Sequence, residues 1–559
     1  MPRRLFYLLS RTLLWLWLST FGSVFANPQM MHQQQRQTER ERQLTPDVPD
    51  IRLLPPVHSS SHIIFPLESP CFTINRVMLS GAEAFPSWVH LQRLADQTNG
   101  RCMGTNSINV LMSALQNRLT GHGWITARVM VAPQDLRQGT LELVVIPGRV
   151  DQVRLEQASG HRSTLHNALP VSTGDLLDLR AVEQGLENMQ RLPTVTATVE
   201  LLPGEQPGFS DILIKRSQRR PWRVRTWLDD SGNTTTGRYR GGVMLAFDGP
   251  LSFNDLFYLT AERDLHFAGE KNLHSFSGHY SIPYGYWLFG ITADTYDYRQ
   301  QAAGLNGPIV YEGQSGTLAM RASRLVHRNA TQKTSVKYEV RLRRLRNYIN
   351  GNHSVSQKRN TSSWRLGVDH RFYLGAATLD TNVTYQQGTT WFGARPAPEE
   401  RTGQGTALSE IIHYSAQLNA PFSLGDQRWR YRTHYQRQIS RTPLTAPDRF
   451  SLGTWGTTRG FDGEHQLIAD DGWYLRNELA WRTPVPGQEW YVGFDYGEVG
   501  GRNMGKLQGT RLAGGVTGLR GALAATGIGY DLFAGRPFSK PNGFETDPLR
   551  LGFNLTWEY

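Results

Sequence analysis

Cys71 and Cys102 are the only cysteines in the chain of 559 residues. Two thiols can form a disulfide or contribute to a metal site, but no paired histidines lie close to either cysteine. In an exported protein the pattern predicts one disulfide, which would stabilise the fold by roughly 3–4 kcal/mol in the chain-entropy model. No nucleophile–base pair, metal-ligand spacing or phosphate-binding loop stands out, so we expect no enzyme, no cofactor and no metal.

The N-terminus has the features of a secretory signal. Arg3 and Arg4 supply positive charge, an apolar run extends from Leu13 to Phe25, and a small residue stands at Ala26. This arrangement predicts a signal peptide at 1–26 with cleavage after Ala26. The alternative, a buried N-terminal helix, does not explain the charged start or the small residue at the end.

The charge and hydropathy of the chain narrow the class of protein further. A formal net charge of +12 would suit nucleic-acid binding in a cytosolic protein, but an exported chain argues against a nucleic-acid partner. A cationic channel or a face toward anionic lipid explains the same excess. The mean hydropathy is −0.45 and no later run reaches the ~18 apolar residues of a spanning helix, yet alternating barrel strands also average out as hydrophilic.

Apolar and polar residues alternate along most of the chain from Trp222 to Tyr559. In the last segment Leu551, Phe553, Leu555 and Trp557 alternate with polar or small residues. Another segment places arginines on the alternate face, at Arg428, Arg430 and Arg432. Unpaired arginines are costly in a sandwich core but suit a water-filled lumen. We therefore predict a transmembrane antiparallel β-barrel over 220–559, with about 16 strands from its length, and a soluble all-β sandwich as the alternative.

Two small α+β units precede the barrel. Each has the order β-α-α-β-β, and we place them at 71–148 and 149–219. In the first unit we predict a strand from Phe72 to Leu79 followed by a helix at 88–95. Their longest helices are predicted at Asn106–Leu119 and Leu179–Leu192, each with apolar residues on one face. Before them, 46–70 is a proline-rich linker, and 27–45 is a polar segment of good helix formers without an apolar face. Such a segment is either disordered or enclosed in a wet cavity.

Local runs in the first unit indicate a family. Residues 115–129 (LQNRLTGHGWITARV) and 133–150 (PQDLRQGTLELVVIPGRV) resemble the first polypeptide-transport-associated (POTRA) domain of the two-partner secretion transporters. This is the haemolysin-activator group ShlB/FhaC/HecB, also called TpsB, which includes the contact-dependent inhibition transporters CdiB. Many members carry a cysteine pair where Cys71 and Cys102 stand. The resemblance covers nearly the whole mature chain.

Two barrel motifs extend the resemblance. Residues 458–461 (TRGF) match the family's [VT]-R-G-[FY] loop motif, and residues 493–497 (GFDYG) resemble its F-x-D-x-G wall motif. The second motif departs at Gly493, where the family has an aromatic residue. The resemblance implies that a long loop near 440–470 folds into the lumen and that Arg459 reaches Asp495. The predicted lumen latch therefore comprises Arg459, Gly460, Phe461, Asp495 and Gly497.

The strand pattern gives Asp495 an independent orientation. Asp495 has the opposite phase to Trp490, Val492 and Phe494, so it points inward if those apolar residues face lipid. A guanidinium–carboxylate pair confined in a lumen can be bidentate and directional. The resemblance also implies that 27–45 is a plug helix in the lumen at rest, with Arg36, Glu39 and Glu41 as its charged residues and the glutamates pairing with lumen arginines.

The resemblance implies a Gram-negative outer-membrane transporter with its POTRA domains in the periplasm. It would bind one unfolded TpsA-type exoprotein and pass it through the barrel to the cell surface. The cargo would be a contact-dependent inhibition toxin, a haemolysin or a filamentous adhesin. The further expected partners are outer-membrane lipid and the barrel-assembly machinery, and the expected state is a monomer. An outer-membrane protein insertase of the same superfamily is the alternative.

Overall fold

The structure is a computed structural model. The residues that it describes are 40–41, 44–46, 48–53, 62–156, 164–234, 236–265, 272–302, 309–353, 358–502, 507, 509–523 and 526–559. The predicted signal peptide at 1–26, and Arg36 and Glu39 of the predicted plug helix, lie outside the described residues. No helix in the described part of the chain is long and apolar enough to cross a membrane.

The first module contains five strands and two helices. They are β1 (Phe72–Ile74), β2 (Arg76–Ser80), α1 (Leu91–Ala95), β3 (Arg101–Met103), α2 (Thr105–Gly121), β4 (Arg128–Val131) and β5 (Thr140–Ile146). The sheet has the order β2-β5-β4, with β2 parallel and β4 antiparallel to β5, and β1 pairs separately with β3. Leu111, Leu115 and Leu119 of α2 are fully buried and belong to one core with Leu141 and Leu143 of β5.

Two expected elements of this module differ from the structure. The single strand expected from Phe72 to Leu79 is divided into β1 and β2, because the chain changes pairing partner at Asn75. The backbone N–H of Asn75 donates to the carbonyl of Gly139 at 2.7 Å instead of to a neighbouring strand. The helix expected at 88–95 starts as a 3₁₀ turn at Ser87–Val89 and becomes α-helical only in α1.

The second module repeats the arrangement. Its elements are β6 (Arg149–Leu155), α3 (Leu165–Ala168), α4 (Leu179–Gln190), β7 (Val195–Pro203) and β8 (Phe209–Gln218). The sheet order is β6-β8-β7, again with one parallel and one antiparallel pair. Asp178 caps α4 by accepting a hydrogen bond from the N–H of Arg180 at 2.8 Å, a short polar side chain in the position where helices favour one.

The barrel follows without a break. Its strands, which include the short β16 paired with β15 and the separate short pair β21 and β22, are β9 (Trp222–Asp229), β10 (Arg240–Asp248), β11 (Leu256–Asp264), β12 (Asn272–Tyr284), β13 (Trp287–Ala302), β14 (Ile309–Arg328), β15 (Gln332–Ile349), β16 (Asn352–His353), β17 (Arg359–Leu374), β18 (Ala377–Thr389), β19 (Glu410–Leu424), β20 (Gln427–Ser440), β21 (Phe450–Leu452), β22 (Leu467–Ala469), β23 (Asp471–Arg482), β24 (Gln488–Gly500), β25 (Arg511–Leu523), β26 (Ile528–Ser539) and β27 (Arg550–Glu558).

Within the described residues, sixteen long antiparallel strands form the wall, and β27 pairs with β9 to close it. The predicted β-barrel of about 16 strands is confirmed. Closure leaves no free sheet edge, which is the condition for strands to cross a bilayer. On β24, Trp490 and Phe494 are exposed on the outer face while Tyr491 and Asp495 are buried on the inner face. The alternation in the sequence is therefore an alternation between lipid and lumen.

The second module is attached to the barrel end that carries the short turns. The side-chain amides of Asn167 and Asn188 donate to the carbonyls of Pro283 and Gly285 in the β12–β13 hairpin, at 3.0 and 2.7 Å. Because both acceptors are backbone carbonyls of one tight turn, these bonds fix the turn against α3 and α4. The opposite end carries the longer connections, including the loop 441–470 between β20 and β23.

Cys71 and Cys102 form a disulfide beside the β1–β3 pair, where Cys102 stands opposite Thr73. The same region holds a helix cap from outside the helix. One carboxylate oxygen of Glu68 accepts the N–H groups of Gly104 and Ser107, both at 2.8 Å, and the other accepts that of Asn106 at 3.0 Å. The first N–H groups of a helix have no partner within the helix, so the linker residue Glu68 supplies one for α2.

We predict that Glu68→Ala loosens the start of α2. The hydrogen bond from the Ser107 side chain and those from the backbone N–H groups hold the pKa of Glu68 at about 2. A lowered folded-state pKa means that the cap is fully present above the usual pKa of a glutamate and is lost as the pH falls toward 2. Hydrogen exchange of 104–121 in the full-length protein at pH 7 should become faster in Glu68→Ala.

Glu83→Ala is the matched control, because Glu83 is an exposed glutamate of the same module. It should leave the exchange of 104–121 unchanged. Equal exchange in Glu68→Ala and the wild type would contradict the capping role.

Candidate functional site: a loop bound inside the barrel

The loop 441–470 turns back into the barrel and is bound there by its own hydrophobic residues. It forms a hairpin in which β21 is buried and β22 is partly buried, and Phe461 near the loop tip has no exposed surface. Phe461 meets Phe544 edge to face with ring centroids 5.9 Å apart, and Trp455 stacks on Phe533 of the barrel wall at 3.7 Å. A connection of 30 residues is thereby packed as a solid element rather than left as a surface loop.

Arg459 at the tip binds the carboxylate of Asp495 in β24 through three hydrogen bonds. Its Nε and backbone N–H both donate to Oδ2 and its Nη2 donates to Oδ1, each at 2.8 Å. The two residues are 3% and 0% exposed. The side-chain bonds form a bidentate pair, which fixes direction as well as distance, and the backbone bond fixes the loop itself.

The pair belongs to a longer line of charges that sequence reasoning missed. Arg459 Nη1 donates to Glu478 of β23 at 2.7 Å, and Arg520 of β25 pairs with both Glu478 and Glu489 at 2.7 and 3.1 Å. The sequence does indicate that these charges face the lumen. Arg476 and Glu478 have the same phase, and the residues between and beside them have the opposite one. Inward phase predicts a lumen position, but it does not predict which lumen charges meet.

Glycines in the wall make room for the tip. A Cβ at Gly514 would lie 2.1 Å from the carbonyl oxygen of Arg459, and one at Gly535 would lie 2.9 Å from the Cα of Gly460. Gly460 itself has φ +103°, in the left-handed region that favours glycine, and a Cβ there would lie 2.5 Å from the Arg536 carbonyl oxygen. The backbone of the tip therefore touches the backbone of β25 and β26.

Gly493 and Gly497 of the wall motif also face the loop. A Cβ at Gly493 would lie 2.6 Å from Nη2 of Arg459, and one at Gly497 would lie 2.8 Å from Cδ2 of Leu452. The departure of this chain from the family's aromatic residue at Gly493 thus coincides with close contact between the guanidinium and the wall. It does not prevent the pairing with Asp495.

A second segment occupies the lumen. Arg40, Glu41 and Leu44 are helical, and Arg40 donates to Asp229 at 2.6 Å while its guanidinium lies 4.7 Å from the centre of the Trp227 ring. Glu41 comes within 3.9 Å of Arg321. Beside this segment is a cavity of about 530 Å³, whose lining includes Arg40, Asp294, Arg365, His413 and Arg476.

The linker between this segment and the first module runs across α4 and the barrel rim. The N–H groups of Ile51 and Leu53 donate to the buried carboxylates of Glu187 and Glu183, at 3.1 and 2.9 Å. The same two carboxylates pair with Arg328 of the barrel at 2.9 and 3.3 Å. Each glutamate is thus shared between linker and barrel, so the linker, the second module and the barrel are joined at one place.

Among the described residues, no group of histidine, cysteine and acidic side chains could hold a metal ion. The site consists of a polar lumen, a loop and an N-terminal segment within it, and two modules at its entrance. Charge pairs with the barrel wall hold both the loop and the N-terminal segment in the lumen.

Residues 208–521 match the haemolysin secretion/activation protein family ShlB/FhaC/HecB, 72–148 match the ShlB-type POTRA domain and 149–203 match a second POTRA domain. The chain belongs to the ShlB/FhaC/HecB family. It is an outer-membrane transporter of two-partner secretion, with its POTRA domains in the periplasm. This family is one of transporters rather than of enzymes.

Relatives and solved structures agree over most of the chain. The outer membrane transporter CdiB-2 of Burkholderia pseudomallei (strain 1026b) is 34% identical over 544 residues, covering 94% of this chain and 93% of the relative. The hemolysin transporter protein ShlB of Serratia marcescens is 27% identical over 418 residues, covering 74% and 73%. CdiB from Acinetobacter baumannii has a TM-score of 0.82 at 29% identity, covering 96% of this chain and 99% of that structure. CdiB from Escherichia coli has a TM-score of 0.86 at 25% identity, covering 95% of this chain and 98% of that structure.

We predict that Gly493→Ala loosens the loop tip. The added methyl group would meet the Arg459 guanidinium, the Asn477 carbonyl oxygen and Val516, all within 2.9 Å, so the guanidinium must shift and its bonds to Asp495 lengthen. Protease added to whole cells should then cut within 441–470 faster than in the wild type.

Gly316→Ala in β14 is the control, since the atoms nearest to its added Cβ are 3.9 Å away. It should be cut at the wild-type rate. If Gly493→Ala also showed that rate, close packing at Gly493 would not hold the tip.

Proposed function

We propose that this transporter secretes one large TpsA-type exoprotein, taken up unfolded in the periplasm and passed through the barrel to the cell surface. The relatives called CdiB and ShlB favour a contact-dependent inhibition toxin or a haemolysin as cargo, with a filamentous adhesin as a further candidate. The family assignment favours secretion over the alternative of an outer-membrane protein insertase. We expect no catalytic activity.

The observation that carries the mechanism is the buried pair of Arg459 and Asp495. The loop 441–470 and the segment around Arg40 both occupy the lumen, so an extended chain can pass only after they rearrange. Removing one partner of a buried ion pair costs about 3–5 kcal/mol, because the remaining charge has no water around it. We infer that this pair, with Gly460, Phe461 and Gly497 providing the close packing, acts as a latch for the loop.

The N-terminal segment 27–45 is proposed as the plug. The contacts of Arg40 with Asp229 and Trp227, and the approach of Glu41 to Arg321, support this role for its described part. Because the linker that follows is bonded to Glu183 and Glu187, movement of the plug would pull on the junction between the second POTRA domain and the barrel. Cargo binding at the modules would in this way move the plug out of the lumen.

Capture of the cargo would use the sheet edges of the POTRA domains. In the first module β4 is an edge strand, and in the second β7 is one. An extended segment added to such an edge gains main-chain hydrogen bonds that tolerate varied side chains. No nucleotide motif is present in the sequence, so we propose that folding of the cargo outside the cell supplies the driving force. The barrel would act as a monomer and be inserted by the barrel-assembly machinery.

Arg459→Ala should reduce secretion by about tenfold or more, because removing one partner of a buried ion pair leaves the other charge uncompensated. Without the guanidinium, Asp495 and Glu478 remain as unpaired lumen charges and the loop tip loses its fixed position. The measurement is the amount of exoprotein in the medium, taken together with the abundance of all outer-membrane barrels. A heat-modifiable band on gels checks that the barrel has folded.

A secretion transporter would lose one exoprotein from the medium and leave the other barrels unchanged, whereas an insertase would lower many barrels. Arg428→Ala is the control, because Arg428 is an exposed arginine at the short-turn end of β20. Wild-type secretion by Arg459→Ala would refute the latch, and a general loss of barrels would refute the secretion function.

Deletion of 30–45 should raise single-channel conductance in planar bilayers, because the lumen loses Arg40, Glu41 and Leu44 together with their bonds to the wall. Arg52→Ala, in the linker that follows the deleted segment, is the control. Arg52 is exposed and lies 4.6 Å from the ring centre of Tyr373, next to the short turn after β17, and its replacement should leave conductance unchanged. Unchanged conductance in the deletion variant would eliminate the plug.

A further inference from the structure

The lipid-facing side of β15 changes character along the strand. Val336, Tyr338, Val340 and Leu342 share one phase and Arg344 and Arg346 continue it, so the same outer face turns from apolar to basic. Both arginines are exposed, whereas Arg343 and Leu345 on the other phase are buried. A polar lumen requires polar residues on the inward phase only, so it does not explain two successive arginines on the outward phase.

The position of these arginines relative to the membrane follows from strand geometry. A strand rises about 3.3 Å per residue and crosses a bilayer at a tilt of about 40°, so Arg344 and Arg346 stand about 5 and 10 Å above Leu342 along the membrane normal. They are at the end of the barrel with the longer connections, opposite the POTRA domains. Since Leu342 is the last aliphatic residue on this face of β15, we infer that both guanidinium groups lie at the height of the lipid headgroups in the outer leaflet.

Two further cations come from the neighbouring strand and loop. Arg344 pairs with Asn360 of β17 and Leu345 pairs with Arg359, so Lys358, directly before β17, is next to the strand end near Arg346. The backbone N–H of Arg395 donates to the carbonyl of Asn360 at 2.9 Å, which brings that residue to the same patch. We call Arg344, Arg346, Lys358 and Arg395 the outer basic patch; all four are exposed.

The outer basic patch has no carboxylate partner among the described residues. The acidic residues around it are engaged elsewhere: Glu399 pairs with the inward Arg359, Glu400 accepts N–H groups of its own loop, and Glu312 pairs with Arg299 at 3.3 Å. Asp297 of β13 is two strands away from Arg346 of β15, because Gln314 of β14 lies between them in the register. On β14 the residues opposite Arg344 and Arg346 are Gly316 and Gln314, which carry no charge.

Large exposed aromatic residues adjoin the patch. The Ser362 hydroxyl, on the β17 residue paired with Leu342, donates to the carbonyl of Trp391 at 3.0 Å. Trp391 and Phe392 are 44% and 71% exposed, and Phe392 has φ +54°, a conformation that a bulky residue rarely adopts. An aromatic side chain held outward at this height contacts the boundary between acyl chains and headgroups, as aromatic girdles do.

We propose that the outer basic patch binds a phosphorylated glycolipid of the outer leaflet, of the lipid A type. Arginine guanidinium groups bind phosphate oxygens in a bidentate manner, and Arg344, Arg346 and Lys358 would surround one phosphate. Trp391 and Phe392 would contact the acyl chains of the same molecule. An acidic segment of the emerging exoprotein is the other possible occupant, but the patch faces away from the lumen through which that segment comes.

The test uses the full-length protein in detergent and native mass spectrometry with purified bisphosphorylated lipid A. Arg344→Gln combined with Arg346→Gln should reduce the fraction of lipid-bound protein about tenfold. The control is Arg502→Gln combined with Arg511→Gln, which removes the same charge from two other exposed arginines. Arg511 is paired with Glu498 at 3.0 Å and Arg502 donates to the carbonyl of Arg441 at 2.8 Å, so this variant should bind lipid A as the wild type does.

Three outcomes would overturn the proposal. The first is equal lipid A binding by the Arg344/Arg346 variant and the wild type. The second is equal loss in both double variants, which would indicate general charge attraction. The third is full displacement of lipid A by millimolar inorganic phosphate, which would indicate a site for free phosphate. The proposal would be supported if the wild type bound dephosphorylated lipid A more weakly than bisphosphorylated lipid A, while the Arg344/Arg346 variant bound the two lipids equally.

Discussion

A chain that crosses a bilayer as strands must bond every backbone N–H and C=O group within the protein, because the lipid offers no partner. The pairing of β27 with β9 meets this requirement, and much else follows from it. A closed wall of sixteen strands encloses a lumen too wide for side chains of the wall to fill. Since the inward phase is polar, that lumen holds water and charges, and the charges are then available to bind whatever enters.

The two elements that enter the lumen are bound by different kinds of contact. The loop 441–470 has a hydrophobic part around Phe461 and a charged tip at Arg459, so it is held by packing and by a directional ion pair. The described part of the N-terminal segment relies mainly on Arg40 and its acidic partners. A polar segment in a wet cavity leaves at lower cost than a packed one, because its charges regain water on leaving.

The second POTRA domain is joined to the barrel through buried polar groups rather than through an apolar interface alone. Glu183 and Glu187 are each bonded to the linker and to Arg328, and Asn167 and Asn188 bond the carbonyls of one turn. Such contacts depend on geometry more than burial of apolar area does, so a small displacement of the linker removes several of them. The junction can thus relate what happens at the modules to what occupies the lumen.

The sequence alone determined the class of fold, because a period of two over more than 300 residues with arginines on one phase fits few structures other than a barrel with a polar lumen. It also determined the inward phase of Asp495 and, through motif resemblance, the family. It did not determine the meeting of Arg459 with Glu478, the contacts of Gly514 and Gly535 with the loop tip, or the sharing of Glu183 and Glu187 by linker and barrel. Those contacts join residues far apart in the chain, and strand phase specifies only the face on which a residue lies. Which residues on the inner face meet depends on barrel closure and strand register, and these exist only in the tertiary structure.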